Sequence, residues 1–172
     1  MAKLRIFASL MGVIALAAAA RADDILKLEN ETQRYRLVLQ IGSAETMYTA
    51  AEAKAKHPTS GEIMLSGKMA GMPAMGHTMP STMPVPQARH VELHVYARDT
   101  GKPVADASVS ITLTGTDKKR HAVPIARMYG VAEGLDDVHF GNNMTISAGS
   151  YAVDATVNGE AAHFAVTVPP GS

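Results

Sequence analysis

From Arg89 onward the chain is written almost entirely in short runs with a period of two, and this limits the folds open to it more than any other feature. His90 to Arg98, Ser108 to Thr114, His121 to Met128, Tyr151 to Val157 and Ala161 to Val168 are each rich in β-branched or alternating apolar residues, the pattern of half-buried strands. Turn signals separate them: Asp99-Thr100-Gly101-Lys102-Pro103, the stretch 115–120, and Asn158-Gly159, a type I′ hairpin signal. Upstream, Tyr35, Leu37, Leu39 and Ile41 alternate onto one face, and Glu62 to Leu65 and Met144 to Ile146 read as further short strands. The expectation is an all-β chain: an immunoglobulin-like β-sandwich of seven or eight mostly antiparallel strands. Thr49-Ala50-Ala51-Glu52 is a capping-box pattern opening a short helix that Pro58 ends. Residues 67–88 hold too many glycines and prolines for a strand or helix, and are expected to form a long Met-rich loop.

The N-terminus reads as an export signal: Lys3 and Arg5, an apolar run from Leu10 to Ala20, and the small-x-small triplet Ala20-Arg21-Ala22. Residues 1–22 are therefore expected to be a cleaved signal peptide, and 23–172 a single periplasmic metal-binding domain that does not itself span a membrane. With no cysteine in the chain, disulfides and thiolate chemistry are excluded. Past residue 22, thirteen basic residues face sixteen acidic ones, a formal charge of −3. That balance argues against a nucleic-acid partner, which would call for a clustered positive surface. No nucleophile elbow or phosphate-binding glycine loop is visible, so the chain is not expected to be an enzyme.

Strand His90 to Arg98 puts Val91, Leu93, Val95 and Ala97 on one face and His90, Glu92, His94 and Tyr96 on the other. Side chains two apart on a strand begin about 7 Å apart, close enough to converge on one ion; the same alternation also describes a solvated outer face. Of eleven methionines, six fall between Met64 and Met83. Met69, Met72, Met75, Met79 and Met83, with His77 among them, offer soft ligands suited to copper or a contact surface for a partner. Later, Met128 closes a strand, and Glu133, Asp136 and Asp137 precede His139-Phe140-Gly141-Asn142-Asn143. Those acidic residues could orient His139 or complete a hard-metal site, or the segment could be a plain turn with His139 exposed.

These motifs together resemble the periplasmic iron transport proteins, immunoglobulin-like dimers that bind copper and assist an inner-membrane iron permease. The resemblance rests on His90-Val91-Glu92, on Met128, on His139-Phe140-Gly141-Asn142-Asn143, on Gly149-Ser150-Tyr151, and on the methionines before the His-x-Glu strand. It implies copper held by His90, Glu92, Met128 and His139, a role in iron delivery, and a homodimer. Two departures stand out: the stretch between Met128 and His139 is long for that family, and a further histidine-bearing loop is replaced by the Asn158-Gly159 hairpin. His94 or His77 is then the expected substitute ligand. The competing expectations are a soluble copper chaperone or resistance protein with no part in iron handling, and a non-metal interaction module.

Overall fold

The computed structural model describes residues 25–68 and 88–170. The signal-peptide reading of 1–22 and the methionine ligands Met69, Met72, Met75, Met79 and Met83 with His77 lie outside the described residues. In chain order the elements are β1 (Leu26–Glu31), β2 (Tyr35–Ser43), β3 (Met47–Thr49), α1 (Ala50–Lys56), β4 (Glu62–Ser66), β5 (Ala88–Ala97), β6 (Val109–Gly115), β7 (Arg120–Ala122), β8 (Ala126–Gly130), a 3-10 turn (Gly134–Asp137), β9 (His139–Thr145), β10 (Gly149–Val157) and β11 (Glu160–Val168). They build an all-β sandwich. One sheet runs β1-β2-β5-β9-β8-β4-β3 and the other β11-β10-β6-β7. Every pairing is antiparallel except β3 with β4.

The two sheets meet through the alternating positions. Leu37, Leu39 and Ile41 of β2 and Val91, Leu93 and Val95 of β5 share one core with Ile111 and Leu113 of β6, Val153 and Val157 of β10 and Phe164 of β11. Leu93 is fully buried, and burying such a side chain stabilises by about 1.5–3 kcal/mol; Leu93→Ala would cost about 2–5 kcal/mol because a cavity remains. The β10–β11 hairpin turns on Asn158 (φ 47°) and Gly159 (φ 87°), the left-handed pair that a type I′ turn demands. Asn158 also donates to the Tyr35 hydroxyl at 2.9 Å and accepts from the Ser108 amide at 2.8 Å, so this turn is pinned to both sheets. At the other end of β10 the Tyr151 hydroxyl donates to the Ser147 carbonyl at 3.0 Å, the tyrosine-corner contact of immunoglobulin-type sandwiches. Helix α1 carries the expected capping box: the Glu52 amide donates to Thr49 Oγ1, and Glu52 accepts from the Thr49 amide.

Three differences from the sequence-based expectation bear on function. His121 to Met128 is two strands: Pro124, which has no N–H to donate to a ladder, separates β7 in the four-stranded sheet from β8 in the seven-stranded one. The segment expected as a turn, His139 to Asn143, is most of β9, an interior strand between β5 and β8; the short strand expected at Met144 overlaps its end. Strands β1 and β3 add to the count, β1 pairing along the whole of β2 from Leu26↔Ile41 to Glu31↔Arg36.

Candidate metal centre

Strand β5 lies between β2 and β9, with His90 opposite Asn143, Glu92 opposite Gly141 and His94 opposite His139. Directly opposed residues share a face, so the register carries one row of side chains across the sheet: His94, His139, Met128 and Met64. This face points away from the hydrophobic core, yet it is not solvated. His90, His94 and His139 are 2%, 3% and 0% exposed, and Glu62, arriving on β4, is 5% exposed. Both faces of β5 are therefore buried, one apolar and one ionisable. Gly141 permits the close approach, since a Cβ there would stand 2.1 Å from the Val91 carbonyl oxygen and 2.7 Å from the Glu92 Cα.

On that face four side chains converge. The Glu92 Oε2 atom lies 3.1 Å from His139 Nε2 and 3.4 Å from His90 Nε2, and Glu62 Oε2 lies 3.3 Å from His139 Nε2. One ligand atom from each of Glu62, His90, Glu92 and His139 falls within 4.8 Å of every other. Glu62 Oε2, His90 Nε2 and His139 Nε2 are all buried without a hydrogen-bond partner. Their neighbours are one another and Glu92, in ion-pair contacts that lack hydrogen-bond geometry, so a bound cation would give each of them the partner that a buried polar atom requires.

The far side of each ring is satisfied. His90 Nδ1 donates to Asn143 Oδ1 at 3.0 Å, and His139 Nδ1 donates to the Asp137 carbonyl at 2.8 Å. Those acceptors fix the proton on Nδ1 and turn the Nε2 of each ring toward the carboxylates, the support that metal-ligating histidines generally receive. The pattern could only be completed in three dimensions, because Asp137 comes from the 3-10 turn and Asn143 from β9.

In the absence of a cation, protons neutralise this cluster. Burial by itself would raise the Glu92 carboxyl, but contacts from His90 and His94 and the charge of His139 hold it far below the usual carboxylate range. For His139 burial would lower the pKa, and Asp137, Glu62 and Glu92 overcome it, lifting the ring to about 10. Burial likewise opposes protonation of His90, and Glu92 leads the groups that raise it. A cation binding here would take over the charge balance those protons supply.

A second grouping, His94 with Asp137 and His139, shares His139 with the first. The Nδ1 of that ring is already spent on the Asp137 carbonyl, so we read this grouping as support for the first. His94 Nε2 sits 3.2 Å from Glu92 Oε1 and 2.7 Å from Gln40 Nε2, and its Nδ1 lies 3.4 Å from Asp137 Oδ1. His94, a candidate substitute ligand in the sequence, thus stands beside Glu92 and outside the four converging groups. Met128 is fully buried, lies opposite His139 and is not part of the main apolar core.

Glu62, Asn143 and Gln40 are the functional residues that sequence reading did not assign as ligands or supports. Glu62 opens a strand of only five residues, 28 positions before His90, and nothing in spacing joins the two. Only the acidic run before His139 gave a signal, and it pointed to Asp137. Elsewhere, His163 pairs in the open with Asp154 at 2.7 Å, and His57 caps α1 in a left-handed conformation. No protein-family model matches this chain, and neither the curated proteins nor the solved structures offer a match.

Proposed function

We propose that this chain is a periplasmic copper-binding protein that assists iron transport across the inner membrane, working beside an inner-membrane iron permease and as a homodimer. One observation carries the metal part of the reading: three buried, unpartnered ligand atoms, on Glu62, His90 and His139, gathered around Glu92. The donor set fits copper. Among divalent first-row metals an N/O site of this kind is filled most tightly by Cu(II), and the buried Met128 thioether on the same face adds a soft donor suited to Cu(I). Bound copper would supply a one-electron couple. The chain's own work is to fix the rings through Asn143 and Asp137, to seat His94 beside Glu92, and to enclose the cluster.

The iron role rests on the resemblance of the His-x-Glu, Met128 and His139 motifs, and it draws support from Glu62. A copper buffer without a part in iron would need only soft donors, whereas two carboxylates in the cluster favour ions that prefer oxygen. The test is the metal content and the Cu(II) and Cu(I) affinities of the protein against a variant carrying His90→Ala and His139→Ala. One equivalent of copper bound by the parent and lost from the variant is expected. Copper retained in full by the variant would sink this site. For the iron role, cells relying on the permease should lose iron uptake when Glu92→Gln replaces the parent; uptake at the parent rate would leave the copper-buffer reading in its place.

A further inference from the structure

The cluster is buried, and among the described residues a cavity reaches it. This cavity, of about 350 Å³, lies between residues 42–46, where β2 ends and the next segment begins, and the Ser60-Gly61 turn, and its wall includes both His90 and Glu92. A larger cavity, about 420 Å³ beside α1, contains no member of the cluster. At the mouth of the first stands Glu45, whose residue is exposed while its carboxyl is raised by burial of the group and by the charges of Glu62 and Glu92. Glu45 therefore faces solvent on one side and feels the cluster on the other.

Its backbone is clamped to the site. Asn143 Oδ1 accepts from the Glu45 amide at 3.0 Å, and Asn143 Nδ2 donates to the Glu45 carbonyl at 2.7 Å. The same Oδ1 accepts from His90 Nδ1, so one amide group fixes the mouth segment and a cluster ring relative to each other. Gly42, opposite His90 in the ladder, leaves the passage open: a Cβ there would meet only the Ile25 side chain, at 3.4 Å.

We infer that this cavity is the route by which a hydrated divalent cation reaches the buried cluster, and that Glu45 is the carboxylate that captures the ion at the mouth. The inference rests on the metal-binding reading above. A carboxylate at a narrow mouth raises the local cation concentration and trades water for its own oxygen one step before the imidazoles do. Such a group governs the rate of passage in both directions and is no part of the final ligand set.

The experiment is stopped-flow mixing of metal-stripped protein with weakly buffered Cu(II), read by tyrosine fluorescence quenching, with release followed by chelator chase. Glu45→Gln should slow both uptake and release about three- to tenfold. Gly42→Leu, which fills the passage and leaves every ligand in place, should slow both by a common factor as well. Asp154→Asn is the control, since it removes an exposed carboxylate on the four-stranded sheet, outside the cavity wall, and its rates should match the parent. Parent rates in Glu45→Gln or Gly42→Leu would overturn the inference, and so would equal slowing in Asp154→Asn. Faster release from Glu45→Gln would also overturn it, because Glu45 would then be a resident ligand. Parent protein that takes up no copper would overturn the metal reading itself, a result separate from these.

Discussion

Strands β5 and β11 each carry a histidine near an acidic partner in an alternating strand, and the two pairs live in opposite worlds. On the outer face of the four-stranded sheet, His163 and Asp154 meet at 2.7 Å with side chains 76% and 51% exposed. On the outer face of the seven-stranded sheet, His90 and Glu92 meet at 3.4 Å with side chains 3% and 14% exposed. In water such a pair is worth about 0–1 kcal/mol; buried, each member depends on the other to remain charged. One pair lies two apart along a single strand and the other across two strands, but both set a histidine beside a carboxylate, and what separates them is burial: Glu62 and Asp137 of the 3-10 turn stand against the histidines of the first face, while the second pair is open.

Removing one partner from each pair should break the comparison most visibly. In metal-free protein, Glu92→Ala leaves buried imidazoles without their counter-charge and should cost about 3–5 kcal/mol, measured by urea unfolding, while Asp154→Ala should leave the midpoint where it is. Equal costs would mean that the cluster is hydrated after all. Next in size, His139→Ala should weaken copper binding by more than about 100-fold, since losing a supporting residue alone costs about 10–100-fold, and His163→Ala should not change it. Competition titration against a chelator of known strength reads both. Asn143→Ala, which frees the His90 ring, should weaken binding about tenfold and is the sharper probe, because it removes no ligand.

The dependence on pH has a definite sign. His139 is raised from an ordinary 6.5 to about 10, so its contribution to metal-free stability is complete below about 6.5 and is lost as pH climbs through 10. Glu92 is depressed from 4.5, so its contribution is present above about 4.5 and is lost as pH falls below that. Metal-free protein should therefore melt highest between about pH 4.5 and 6.5, as followed by circular dichroism in chelator. A melting temperature still rising at pH 8 would contradict the charged cluster. With copper added, the alkaline limb should flatten, because the ion needs the rings deprotonated.

Much of the sandwich was legible because period-two alternation states which residues face the core: Leu37, Leu39 and Ile41, Val91, Leu93 and Val95, and Val153 and Val157 are all buried. The Asn158-Gly159 turn was legible because few residue pairs tolerate its backbone. The site was only half legible. His90, Glu92 and His139 stood out by motif, but alternation says nothing of whether a polar face is covered, and that depends on the order of strands in the sheet. Glu62 escaped because β4 reaches the cluster only through β8 and β9. Sequence leaves open whether His139 to Asn143 is a turn or part of a site for a related reason: glycine and asparagine favour turns, but here Gly141 serves a close strand approach and Asn143 bonds His90 and Glu45.

The pairing of His94 with His139 and of Glu92 with Gly141 has a consequence for how the chain comes to its working state. Side chains alternate with every step along a strand, so a slip of one residue between β5 and β9 would turn Phe140 toward the carboxylates and His139 into the oily interior. An ion that needs Glu62, His90, Glu92 and His139 together can be held by one alignment of four strands drawn from distant parts of the chain. Occupancy would thus act as a proofreader: a bound metal would certify that β4, β5, β8 and β9 have assembled in the right phase, and a misaligned molecule would stay empty.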